Sequence, residues 1–236
     1  TALLILVAGA TYACKDFLVS LPQGTLNEET LANRQGVEGT LIAAYRALER
    51  RGGLWGAAVS NWVWGSATSD DAYKGSEATD QPPITDIELY QWATAGAESY
   101  LNDKWQAVYE GVVRTNAALR LLAKVLAEKP GEISQSDADG IKGEALFLRA
   151  HFHFEAWRMW GNVPYYIETD EDFRKSNVGG NAVAEILKDL DAAIALLPTT
   201  PRIKGQVGRA TRWTAKAYKG RVQVYAGDYA AALTTL

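Results

Sequence analysis

The side chains best suited to chemistry in this sequence are aromatic, and they gather where the pattern is least regular. Between Leu54 and Glu98 stand Trp55, Trp62, Trp64, Tyr73, Tyr90 and Trp92, set among Gly, Ser, Thr, Asp and Pro. The whole chain carries 8 Trp and 11 Tyr. Indole and phenol rings offer large rigid apolar faces with a polar handle. We therefore take Trp62, Trp64, Tyr73, Tyr90 and Trp92 as candidates for a binding surface, with Asp70, Asp71 and Asn102 as hydrogen-bonding partners. The competing reading is that each ring packs the loop onto neighbouring helices, and that Asp70-Asp71 is a turn or a cap.

Titratable chemistry is harder to find. There is no Gly-x-Ser-x-Gly, no Walker A sequence and no Rossmann glycine pattern between a strand and a helix. His151 and His153 are two residues apart, so on a helix they point to different sides. That spacing cannot make the i, i+4 pair of a zincin. The run Glu168 to Asp172 offers carboxylates to a hard cation, yet it lacks the glycine and terminal Glu of an EF-hand loop. It reads as a solvated loop. A glycoside hydrolase would need two carboxylates at a set separation, and nothing singles out such a pair. No enzyme activity, no metal and no cofactor are expected.

The single cysteine, Cys14, excludes an intramolecular disulfide and a cysteine zinc cluster. It follows an apolar run, Ala2 to Ala10, too short to span a bilayer as a helix. The run matches the apolar region of a secretory signal. Residues 1–13 therefore read as a signal segment, and Cys14 as the site of lipidation. Thr11 stands where such signals usually carry Leu, and Tyr12 is bulky for its place. The net charge of −4 gives no electrostatic reason to expect a nucleic-acid partner.

The elements that must hold these residues read as helices throughout. Leu31 to Arg50 places Leu41, Ile42, Tyr45 and Leu48 on one face, and Gly52-Gly53 ends it. Tyr100 to Leu126 repeats apolar residues at steps of three and four, from Leu101 and Trp105 to Leu122. Ser136 and Asp137 are the predicted caps of a helix that runs to about Trp160 and stops at Gly161-Asn162-Val163-Pro164. On it, Trp157 and Trp160 join Trp105 and Tyr109 as packing residues, and Arg149 is expected to meet a buried acid other than Glu144. Tyr165 to Ser176 is a polar connector. Ala182 to Leu197 and Thr211 to Ala226 are further helices, and Thr211 is a cap. Gly227-Asp228 turns the chain into a last helix from Tyr229. The fold class is all-α, built of tetratricopeptide-like antiparallel helix pairs from about residue 100 onward, with a long irregular aromatic-rich loop region before them. Ala215 to Ala232, with small residues around the Gly-Asp-Tyr turn, carries the grammar of one such repeat. Such units need neighbours to bury their faces.

Five stretches, in order, resemble the SusD/RagB family of surface glycan-binding outer-membrane lipoproteins. They are Cys14-Lys15-Asp16-Phe17-Leu18; Trp64 to Ala72 with Ser69-Asp70-Asp71; Trp105 to Tyr109 running to Arg114-Thr115-Asn116; Gly143 to Phe154 running into Trp160-Gly161-Asn162-Val163-Pro164; and Gly208-Arg209-Ala210-Thr211 through Tyr229. The resemblance implies that residues 14–236 are the N-terminal portion of a SusD-like domain whose C-terminal half is absent. It implies a lipid-anchored protein on the outer membrane, facing the cell exterior. Its function would be non-catalytic binding of an oligosaccharide, handed to a SusC-like TonB-dependent transporter. The aromatic loop residues would then stack on pyranose rings while Asp70, Asp71 and Asn102 bond hydroxyls. The alternative is a tetratricopeptide scaffold for protein assembly in the cell envelope.

Overall fold

The computed structural model describes residues 28–49, 60–75, 77–177 and 181–236. Cys14, the signal segment 1–13, Gly52-Gly53 and Trp55 lie outside the described residues. Among those described, every regular element is helical. In chain order they are α1 (Glu28–Leu31), α2 (Arg34–Arg46), a π-helical turn (Trp62–Ser66), α3 (Pro82–Glu88), α4 (Ala95–Glu128), α5 (Gln135–Trp160), α6 (Ala182–Leu196), α7 (Arg212–Tyr225) and α8 (Tyr229–Thr235).

Each long helix starts where a side chain can take the place of the missing carbonyl partner. Asn33 Oδ1 accepts from the Gly36 amide at 2.9 Å and starts α2. Thr94 Oγ1 accepts from Ala97 and starts α4, and Asn181 does the same for α6. Thr211 and Thr214 form a reciprocal capping box at α7, as the sequence predicts for Thr211. The cap of α5 differs from expectation. Ser134, in extended conformation, accepts from the Asp137 amide, so Ser136 and Asp137 already lie inside the helix. Asp137 is instead a partner of Arg34 and Arg202.

From α4 onward, consecutive helices pack on one another, and α2 packs on α4 and α5. Helical packing thus begins well before residue 100, because α4 itself starts at Ala95 and α2 contributes Val37, Leu41 and Ala44 to the main core. Ile42 and Leu48, assigned to the inner face of that first helix, are exposed. Only Leu41 and, in part, Tyr45 of the predicted stripe face inward.

Helix α5 is the centre. Its sides are covered by α4 and α6, and nearly every residue from Gly143 to Ala156 is buried. A helix enclosed on all sides shows no amphipathic stripe. The polar residues it buries are paired. Glu144 accepts from Arg202 at 3.1 Å and Arg209 at 3.0 Å, and both arginines also reach Glu38 of α2. Arg149 meets its acid in Asp189 of α6, at 2.6 and 2.8 Å.

Small residues set the closest approach. A Cβ on Gly111 would stand 2.4 Å from the Phe152 ring, so the ring from α5 lies directly against the α4 backbone there.

Candidate functional site

The irregular region before α4 folds around a core of its own. Val63, Ala67, Ile84, Ile87, Ala97 and Tyr100 are buried together, and Trp64 packs against them. Thus the π-helical turn and α3 sit on the first turns of α4. Polar ties hold them there. Thr94, besides capping α4, donates to Asp86 Oδ2 at 2.7 Å. The Tyr100 hydroxyl donates to Gln81 Oε1. Lys104 of α4 donates to Asn61 Oδ1 at 3.1 Å and lies 3.8 Å from Glu155 of α5. Lys74 gathers the carbonyls of Glu77 and Asp80 at 3.0 and 2.6 Å. Burial raises the Tyr100 pKa above its ordinary value and lowers that of Lys104.

On this platform the rings come together. Trp64 and Trp92 stack with centroids 6.4 Å apart and planes 17° from parallel. Tyr90 meets Trp92 edge to face at 5.5 Å. Tyr90 is 59% exposed and Trp92 38%. Tyr90 holds a left-handed backbone, φ 58°, which is rare for a bulky residue. Its hydroxyl donates to the Thr68 carbonyl, tying the ring to the segment just after the π-helical turn. The three described non-glycine residues of positive φ are Asp70, Gln81 and Tyr90, and all fall in this region. Strained backbone persists where surrounding structure over-determines it, and it concentrates at binding sites.

The predicted residues divide into three groups. Trp64, Tyr90 and Trp92 form one aromatic cluster. Trp62, Asp70, Asp71 and Tyr73 are exposed in the same stretch of chain, Tyr73 at 77%, without a ring contact to that cluster among the described residues. Asp70 stands at a turn with φ 58°, and Asp71 accepts from the Ser69 hydroxyl at 3.2 Å, so this pair also shapes a turn. Asn102 does not join them. It is exposed on α4, roughly 200° around the helix from Tyr100, whose ring lies in the small core.

The residues assigned to packing behave as such at the core. Trp105 contacts Tyr109 and Trp160 with centroids 4.5 and 4.9 Å apart. His153 is enclosed: Nδ1 pairs with the Arg149 carbonyl at 3.0 Å, and Nε2 accepts the Tyr166 amide at 3.1 Å. Burial drives its pKa down to about 3, and that of His151 to about 4. Three carboxylates of the acidic run are engaged by neighbouring groups. Glu168 meets Arg149, Asp170 accepts from the Ile167 amide, and Asp172 accepts from the Arg174 amide. Among the described residues no group of His, Cys, Asp and Glu is arranged to hold a metal, and no helix is long and apolar enough to cross a membrane. What the sequence reading missed is the polar framing, Thr94, Lys74 and Gln81. The Thr94 cap was visible in principle, three residues before Ala97; the carbonyl nest of Lys74 carries no linear signal.

The chain matches the SusD-like family model described as starch-binding associating with outer membrane, over residues 27–224. It is 26% identical over 242 aligned positions to a SusD-like protein of Formosa agariphila, covering 100% of this chain and 44% of that protein. The fold is similar to surface glycan-binding protein A from Bacteroides fluxus, with TM-score 0.64 and 26% identity over 83% of this chain and 40% of that one. It is also similar to a laminarin binding SusD-like protein, with TM-score 0.66 and 26% identity over 85% of this chain and 42% of that one. The chain therefore spans less than half the length of these relatives. With the family model matching most of its length, and with an all-α fold shared with these structures, the chain belongs to the SusD-like family.

Proposed function

We propose that this chain is part of a non-catalytic glycan-binding protein of the outer-membrane surface. The observation that carries the reading is the Trp64–Trp92–Tyr90 cluster, in which half-buried Trp64 backs the exposed Trp92 and Tyr90 rings. A pyranose presents an apolar C–H face that such rings cover well, while exposed Asp70 and Asp71 accept from hydroxyls at the edge. Trp62 and Tyr73 extend the surface. Family membership and the laminarin-binding relative support a sugar as the ligand. The protein would pass oligosaccharide to a SusC-like TonB-dependent transporter, tethered beside it by acyl chains on Cys14. Each buried methylene of such a chain adds about 0.8 kcal/mol of membrane affinity.

A glycan array followed by calorimetry tests the binding role. The Trp92→Ala variant is expected to weaken the tightest oligosaccharide about thirtyfold. The ring's 38% exposure leaves roughly 80–100 Å² for a sugar to cover, at about 25 cal/mol per Å². Wild-type affinity in that variant, or no glycan bound at all, would sink the reading. Incorporation of labelled palmitate, lost in Cys14→Ala, tests the anchor.

The scaffold alternative draws on Trp213, Tyr229 and Leu233 of α7 and α8, which are exposed. A peptide docking there would leave Trp92→Ala silent.

A further inference from the structure

A second concave site lies along the shaft of α4, apart from the aromatic platform. It is a pocket of about 370 Å³ between α4 and the connector that follows α5. On the helix it runs from Trp105 to Arg120, roughly 15 to 37 Å from the helix start by the rise per residue. Trp105, Tyr109 and Val113 form one wall, and Tyr166 and Phe173 the other.

The apolar walls are held open to water. Phe173 is 72% exposed and Val113 56%. Large apolar side chains grouped in this way mark a place that something covers. The connector is also fixed in advance. The Tyr109 hydroxyl donates to the Pro164 carbonyl at 2.9 Å, and Asn116 Nδ2 to the Tyr166 carbonyl at 3.1 Å. Arg149 binds Glu168, and the Tyr166 hydroxyl donates to the Phe173 carbonyl at 2.7 Å. A ligand entering here would not have to order the loop, which removes a main cost of binding.

The rim supplies the complementary polar groups. Asp170 commits Oδ2 to the Ile167 amide and to Lys175, while Oδ1 has no hydrogen bond among the described residues. Among the described residues Arg120 commits only Nη1, to the Glu168 carbonyl at 3.3 Å, leaving Nε and Nη2 as donors. Asn116, by contrast, already has both polar atoms engaged, Nδ2 with the Tyr166 carbonyl and Oδ1 with Arg149. The pocket thus offers aromatic faces with one carboxylate acceptor and one guanidinium donor at the edge. Its volume falls at the small end of ligand sites, about 300–1,000 Å³.

We infer that this pocket is a second sugar-binding site. It would take one or two pyranosyl units, stacked on Tyr166 and Phe173, with hydroxyls donating to Asp170 and accepting from Arg120. The inference rests on the glycan-binding reading above. It adds that a long glycan engages the chain at two separated points, so that its affinity gains by avidity.

The test is a titration of the isotope-labelled chain with the tightest oligosaccharide from the array, read at individual backbone amides, beside calorimetry. In the wild type, amides at Trp92 and at Val113, Tyr166 and Phe173 should all shift. In Trp92→Ala the pocket amides should still shift. In Val113→Arg, a substitution at an exposed position with an unchanged melting temperature expected, the pocket shifts should vanish while those at Trp92 remain. That variant should also bind the long glycan at least about tenfold more weakly. Asp170→Asn should weaken the pocket shifts without removing them. Shifts at Trp92 with still amides around the pocket, up to millimolar sugar, would overturn the second site and leave the platform standing. Shifts in the pocket alone would do the reverse. If no glycan moves either set, both readings fall. If Val113→Arg keeps the pocket shifts, the sugar sits elsewhere and the inference is wrong.

Discussion

Replacing Arg149 with Met should remove more stability than almost any other single change in this chain. The guanidinium is buried between α4, α5, α6 and the connector. It donates to Asp189 at 2.6 and 2.8 Å, to Asn116 Oδ1 at 3.1 Å, and to Glu168. Burial works against its charge, yet the hydrogen bonds and field of Asp189 more than offset this and hold its pKa above the usual value. Met fills much of the volume but leaves Asp189, itself buried, with only the Tyr165 hydroxyl as a partner among the described residues. Breaking a buried pair from one side costs about 3–5 kcal/mol. The orphaned Asn116 oxygen adds about 1–3 kcal/mol. Glu168 is partly exposed and can turn to water, so little is added for it. A loss of about 4–8 kcal/mol is comparable to the whole stability of many domains. Urea unfolding followed by far-ultraviolet circular dichroism should show the midpoint falling by about 2 M, at a slope of about 2–3 kcal/mol per M. The double variant Arg149→Met/Asp189→Leu should recover about half of the loss, because the stranded charge is gone. A single variant within about 1 kcal/mol of wild type, or a double variant weaker than the single, would refute the reasoning.

Acid should destabilise the fold through its histidines. His153 binds its proton in the unfolded chain below about 6.5 but in the folded one only near about 3. Stability therefore falls with pH from about 6.5 toward 3, by up to ~1.4 kcal/mol per unit for this one group. His151, lowered to about 4, acts in the same sense. Melting temperatures between pH 7 and 5 should fall in the wild type and fall less in His153→Gln; equal slopes would exclude His153 as a cause. Gly111→Ala should cost about 1–3 kcal/mol despite the better helix propensity of Ala, since its Cβ meets the Phe152 ring at 2.4 Å. A stabilised variant in thermal melts would show that the two helices part without penalty.

Legibility followed the range of the interactions. Helices α4, α6 and α7 could be read because a repeating apolar stripe is a local property, and so is a cap such as Thr211. Helix α5 was legible by length and by its stop, although its two-sided burial blurs the stripe. Its predicted cap was two residues off because Ser134 and Ser136 offer the same chemistry. The first helix was misjudged because Ile42 and Leu48 fit the period as well as Leu41 does. Only the presence of α4 and α5 on one side decides which of them is covered.

The aromatic candidates divide in the same way. By itself the sequence determined that the segment before α4 is rich in rings and poor in period, and that no catalytic motif accompanies them. It also determined the family, because five ordered stretches survive as a linear pattern. It could not say that Trp64, Tyr90 and Trp92 meet while Asn102 faces elsewhere, or that Trp105 and Tyr109 both pack and line a pocket. Those facts depend on a small core that joins residues 63 and 100, and on an arginine that joins residues 116, 168 and 189. Contacts of that reach leave no period in the chain, so only the tertiary structure decided them.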